Sequence, residues 1–148
     1  MRLSRESEYG LAGVIYLAGQ RPGAVLTVKA VADAEAMPRM FLAKTFARLA
    51  RHGILRSYRG RRRGYELARR PQQINVREVL EGIEGPDLFA RCIFRSGQCS
   101  DRQPCVLHAK WAAVRPQLEA LLAATTLADC ARDGGAPSPA SDGVVGLR

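Results

Sequence analysis

The apolar positions of this chain recur mostly at helical spacing, with one short stretch that switches to strand-like pairs. Tyr9, Leu11, Val14, Ile15 and Leu17 form a broad apolar face and predict a first helix over about Ser7–Gln20. Ser4 or Ser7 can cap it, and Arg21-Pro22-Gly23 ends it. Thr27 caps a short helix over Val28–Ala36, with Val28, Val31 and Ala32 inward. Pro38 suits the first turn of a third helix, which runs to about His52 before Gly53 stops it. Two short helices joined by a tight turn predict a helix-turn-helix. Ile54–Tyr58 and Gly64–Ala68 then read as the strands of a hairpin around Arg59–Arg63. Asn75 caps a helix over Val76–Ile83, with Val76, Val79, Leu80 and Ile83 inward. A longer helix, from about Cys105 to Ala124, carries Leu107, Trp111, Val114, Leu118, Leu121 and Leu122 at helical spacing. Pro116 is expected to kink or break it. Another short helix begins at Thr126 and carries Cys130, read as a core residue. The predicted class is mainly α with a small β-hairpin wing: a winged helix-turn-helix plus a long helix with little of its own chain left to cover.

Charge sharpens this outline. With 23 Lys and Arg against 14 Asp and Glu, the net charge is +9, and a polyanion is the natural partner. The third helix divides at about 100° per residue. Leu42, Thr45, Phe46 and Leu49 fall on one side, and Met40, Ala43, Lys44, Ala47 and Arg51 on the other, with Arg39 at the flank. Small and basic side chains on an exposed face suit the DNA major groove, where Arg or Lys pairs with guanine. Seven of the fifteen residues from Arg56 to Arg70 are arginine, against one Glu. At the hairpin tip Arg59, Arg61, Arg62 and Arg63 can reach backbone phosphates or an adjacent minor groove. Helices, hairpin and charge together predict binding to double-stranded DNA. Arg39 and Lys44 are expected to supply specificity and the wing arginines sequence-tolerant affinity.

Between the last two long helices, Arg91–His108 reads RCIFRSGQCSDRQPCVLH. Cys92, Cys99 and Cys105 are separated by six and then five residues, with Gly97 and Pro104 breaking the backbone between them. Too few apolar residues are present to bury the segment, so three thiolates converging on metal are the expected anchor. The spacing lacks the paired C-x-x-C of zinc ribbons. It suits a loop wrapped round something bulkier than one ion, such as an iron–sulfur cluster. The division that follows is a DNA-binding domain at 1–85, a cysteine-rich cluster-binding loop at 86–108, a dimerisation helix region at 105–132 and a flexible tail at 133–148.

The opening resembles a signal peptide only superficially, because Glu6 and Glu8 interrupt its basic part and no small-residue cleavage site follows Ala18. A cytoplasmic location with reduced thiols and no membrane is expected. His52 and His108 are the two histidines, and they stand in no nucleophile–base constellation, which argues against an enzyme.

In this order the parts resemble the IscR/NsrR family of iron–sulfur transcription regulators. The likeness covers roughly Met1–Cys130. It rests on M-R-L-S at the start, E-Y-G-L at 8–11, F-L-A-K-x-F-x-R-L-x-x-x-G-I-L at 41–55 and R-G-R-R-R-G-Y-E-L at 59–67. V-R-E-V-L-E-G-I-E-G at 76–85, the three cysteines and T-L-A-D at 126–129 complete it. The resemblance implies a homodimer in which a long helix of each subunit crosses the other, on a palindromic operator. It makes Pro38–His52 the recognition helix and Arg59 and Arg61 the wing tip. One cluster per subunit, 2Fe-2S or 4Fe-4S, would be held by Cys92, Cys99 and Cys105. The fourth ligand would be His108, three residues after the third cysteine, or Glu8 reaching from the partner subunit. Glu8 is preferred, since His108 can equally stand behind the ligands as a donor. The wing departs from the family's commoner glycine-rich form, which leaves the target sequence open. The implied function is a regulator, a repressor by preference, whose DNA affinity follows redox, nitric oxide or iron status. Zinc-stabilised and thiol-redox regulators without a cluster are the alternatives.

Overall fold

The computed structural model describes residues 3–94 and 99–133. The predicted tail beyond Asp133, and Gly97 within the cysteine loop, lie outside the described residues.

Local capping chemistry places the helix starts. Helix α1 (Arg5–Ala18) begins where the Ser4 hydroxyl accepts the Ser7 N–H at 3.3 Å. Thr27 does the same for α2 (Val28–Ala34) through the Ala30 N–H at 3.1 Å. Helix α3 (Arg39–Arg51) follows Pro38, whose ring presets the entry. Helix α4 (Val76–Glu84) starts in a reciprocal box in which Asn75 Oδ1 accepts the Glu78 N–H and Glu78 Oε1 accepts the Asn75 N–H, both at 2.9 Å.

The first core is built by α1 crossing α3 at close range. A Cβ on Gly10 would stand 2.5 Å from Thr45 Cγ2, and one on Gly13 would stand 2.8 Å from the Phe46 ring. With both positions bare, Val14 and Ile15 close on Leu42, Phe46 and Leu49, and Val31, Ile54, Val79 and Ile83 complete the cluster. Each such side chain contributes about 1.5–3 kcal/mol on burial. A smaller second cluster of Val76, Leu80, Leu88 and Phe89 seats the segment that leads into the cysteines.

The wing is a hairpin of β1 (Leu55–Tyr58) and β2 (Gly64–Leu67), paired antiparallel with Leu55 opposite Leu67 and Tyr58 opposite Gly64. A single 3₁₀ turn at Gly60–Arg62 forms its tip. Leu26 adds a third rung on the outer edge by exchanging hydrogen bonds with Tyr65 at 2.8 and 3.0 Å. Gly64 permits this approach: its φ is +153°, and a Cβ there would lie 2.5 Å from the Leu26 carbonyl oxygen. Leu26, two residues before α2, thereby locks the wing to the helix-turn-helix.

Helix α5 spans His108–Ala124, three residues later than the Cys105 start the sequence suggests. Cys105–Leu107 instead form a turn in which the His108 N–H bonds to the Cys105 carbonyl at 2.9 Å. Of the two outcomes expected at Pro116, the break is absent, and α5 runs on past it. That residue is exposed, and with no core pressed against it the loss of one backbone hydrogen bond does not end the helix. Helix α6 (Leu127–Arg132) returns to α1, with Leu127 fully buried and its N–H bonded to the Ile74 carbonyl at 2.9 Å. Cys130 packs half-buried against both clusters, and burial pushes its thiol pKa up.

Candidate nucleic-acid interface and metal centre

Arg39, Met40, Ala43, Lys44 and Arg51 are all exposed on α3, and Arg59, Arg61, Arg62 and Arg63 are all exposed on the wing. Between α2, α3 and the wing lies an open groove, rimmed by Lys29, Arg39, Arg51, Arg59 and Arg63 over a floor that includes Ala43. Small and basic side chains therefore line one open face of the molecule. Lys44 stands to one side of this groove, its Nζ 3.2 Å from Glu6 Oε1 of α1. Arg48 joins the same carboxylate at 3.3 Å. The helix face is therefore divided: Arg39 and Arg51 border the groove, and Lys44 also braces α3 against α1.

At the other end, Cys92, Cys99 and Cys105 are half-buried thiols. The Cys99 N–H bonds to the Ala90 carbonyl at 2.8 Å, which pins the loop to the end of the second cluster. Cys99 Sγ lies 3.2 Å from His108 Nδ1, and His108 Nε2 lies 2.7 Å from Asp101 Oδ1. An ionised carboxylate can only accept, so Nε2 carries the proton and Nδ1 presents its lone pair to the thiol. Burial pushes the Cys99 thiol pKa up, Cys92 and Cys105 push it further, and Arg115 opposes them. The three thiols thus act on one another electrostatically. Among the described residues no three His, Cys, Asp or Glu side chains close tightly enough to enclose a single metal ion. The chemistry of the donor set, three thiols in one segment with an imidazole facing Cys99, is nevertheless that of an iron–sulfur ligand set. Glu8 is exposed on the first turn of α1.

A family model described as Rrf2, iron-dependent transcriptional regulator, matches residues 3–133. The chain belongs to the Rrf2 family. It is 35% identical to a helix-turn-helix type regulator of Mycobacterium tuberculosis, Rv1287, over 92% of this chain and 83% of that one. It is 32% identical to NsrR of Bacillus subtilis over 62% of this chain and 63% of that one. The fold is that of CymR, the cysteine regulator of B. subtilis, with a TM-score of 0.76 at 23% identity over 90% of this chain and 98% of that one. T. potens IscR superposes with a TM-score of 0.70 at 24% identity over 90% and 88% of the two chains.

This Rrf2 chain is a transcriptional regulator, and its winged helix-turn-helix is a DNA-binding element. It is not an enzyme, and the relatives are named as regulators. The thiol–imidazole–carboxylate line at Cys99, His108 and Asp101 resembles an activated nucleophile in outline. Burial and neighbouring thiols, however, drive Cys99 away from the thiolate that such chemistry needs. Among the described residues no helix is long and apolar enough to cross a membrane. Sequence reasoning missed Asp101, Glu6 and Leu26. Asp101 is one polar residue among several in a loop, and nothing in its spacing marks it.

Proposed function

We propose that this Rrf2 chain regulates transcription in the cytoplasm through an iron–sulfur cluster, 2Fe-2S or 4Fe-4S, held by Cys92, Cys99 and Cys105. The observation that carries this reading is three half-buried thiols in one segment with His108 Nδ1 set 3.2 Å from Cys99 Sγ. His108, which Asp101 orients, is our choice of fourth donor over the Glu8 of a second subunit, because its ring already stands beside Cys99. When bound, the cluster supplies a centre that reacts with oxidants or nitric oxide.

The protein works as a homodimer on a palindromic operator, with a repressor's role. Helix α5 supports this: among its described residues it buries Trp111 alone and leaves Val114 and Leu121 half or more exposed. A helix about 25 Å long, with apolar side chains facing out, is a surface for a second copy. Arg39 and Arg51 on each recognition helix read one half-site, and Arg59, Arg61, Arg62 and Arg63 grip phosphate beside it. Release of the cysteine loop would change the spacing of the two recognition helices and so the affinity.

A thiol switch without a cluster is the second reading. It is favoured by a hydrogen bond between Cys92 and Cys99 and by the fold shared with CymR, also solved from Staphylococcus aureus in an oxidised form. Anaerobic purification with an absorption spectrum and iron and sulfide analysis decides between the two. A brown protein with matched iron and sulfide supports the cluster. A colourless metal-free protein whose DNA binding responds to oxidant and reductant supports the thiol switch.

A further inference from the structure

His108, Trp111 and Arg115 are spaced three and then four residues apart and so share one stripe of α5. His108 meets Cys99 Sγ at 3.2 Å. Arg115 donates to the Phe89 carbonyl at 3.5 Å and acts electrostatically on Cys99. Trp111 lies between these two anchors and is 8% exposed. Its indole Nε1–H is the one buried side-chain nitrogen or oxygen among the described residues without a hydrogen-bond partner.

An indole N–H can only donate, and buried donors are almost always paired. Leaving one unmet carries a desolvation cost that a bicyclic side chain without the N–H would avoid. The orphan lies one turn along the same stripe of α5 from His108, whose ring meets the Cys99 thiol. Sulfur is the acceptor chemistry that the three cysteines would bring there.

We infer that the Trp111 Nε1–H is a hydrogen-bond donor held for a sulfur acceptor that arrives with the iron–sulfur group, a thiolate or a bridging sulfide. This rests on the cluster reading of Cys92, Cys99 and Cys105. Trp111 is then a positioning residue rather than a ligand. A donor to cluster sulfur favours the more negative, reduced state and so raises the reduction potential. It also slows loss of the group, as outer hydrogen-bond partners of metal ligands do.

The test uses the full chain, reconstituted anaerobically with ferrous iron and sulfide, and its Trp111→Phe variant. The variant should load equal iron and sulfide, show a more negative reduction potential and lose its absorbance in air about tenfold faster. As this is the only tryptophan, its fluorescence in the wild type should be quenched on loading. Replacing Trp111 with benzothienylalanine, which keeps the bicyclic shape without the N–H, reports the same shifts if phenylalanine packs poorly. Equal potentials and lifetimes in a loaded variant overturn the inference alone. A wild type that takes up no iron and sulfide overturns the cluster reading, and the inference with it.

Discussion

The Ser7 hydroxyl donates to Glu84 Oε1 across 2.6 Å, joining the first turn of α1 to the last residue of α4. The Ser4 N–H reaches the same oxygen at 2.7 Å, and Arg91 donates to the Glu84 carbonyl at 2.7 Å. Glu84 therefore stands between the residue that precedes Cys92 and the helix whose Glu6 braces Lys44 and Arg48 of α3. The cysteine segment and α3 are thus each tied to the start of α1 by a carboxylate, Glu84 for the first and Glu6 for the second.

That carboxylate gives a pH dependence with a definite sign. Burial alone would push Glu84 up, but the Ser7 and Ser4 donors and Arg91 outweigh it and hold it below its ordinary value of 4.5. A depressed folded-state pKa means that the contribution to stability is complete above the ordinary value and is lost as pH falls below it. Melting temperature should therefore fall more steeply below about pH 4.5 in the wild type than in Glu84→Gln, which cannot titrate. Parallel melting profiles down to pH 3 would remove Glu84 from this role.

The wing arginines should contribute sequence-tolerant affinity. Arg61 is exposed at the tip, so Arg61→Ala should weaken binding to every duplex and reduce the salt slope by about one unit for each phosphate it neutralises. Arg39→Ala, on the rim of the groove, should instead relax discrimination between sequences. Fluorescence titrations at several salt concentrations separate the two, and an unchanged slope in Arg61→Ala sinks the wing assignment.

Gly64→Ala tests the locked wing. The added methyl would meet the Leu26 carbonyl oxygen at 2.5 Å, on a backbone with φ of +153°. Strain of this kind costs about 1–3 kcal/mol. Calorimetry should show a lower melting temperature, and DNA affinity should drop even well below the melt, because the hairpin must shift away from α2. Wild-type affinity in a stably folded variant would show that the Leu26–Tyr65 rung does not position the wing.

For the metal centre, Cys92→Ser, Cys99→Ser and Cys105→Ser should each lose bound iron, since a serine oxygen replaces the thiolate poorly. Cys130→Ser should keep it, because that side chain packs against the core clusters. His108→Ala should alter the spectrum and lability of the cluster more than Glu8→Ala does. The reverse ranking would make the carboxylate of a second subunit the fourth ligand.

Leu121→Glu addresses assembly. This side chain is 61% exposed on α5. Placing a charge on an apolar contact between two copies should shift sedimentation from dimer toward monomer while circular dichroism stays helical. A wild type that sediments as a monomer would refute the role given to α5.

The chain by itself determined the elements and the donor inventory. Ser4, Thr27 and Asn75 mark helix starts because a short side chain can satisfy an orphan N–H two or three residues on, a local rule that needs no partner. The hairpin strands fall within one residue of their expected ends, since an arginine- and glycine-rich turn between strand-like pieces leaves few alternatives. The buried positions of α3 and α4 follow equally from helical period. Cys92, Cys99, Cys105 and His108 were visible as a set for the same reason: they share one short segment.

Only the tertiary structure decided which long-range partners met. Glu6 finds Lys44 across 38 positions and Ser7 finds Glu84 across 77, separations that leave no periodic trace. Leu26 becomes a strand rung because Gly64 has no Cβ, a fit that exists once the wing has folded back onto α2. Asp101 orients His108, and Trp111 is buried with its donor unmet, once α5 has packed. Period and capping are properties of neighbours along the chain, whereas these contacts depend on how separate elements pack.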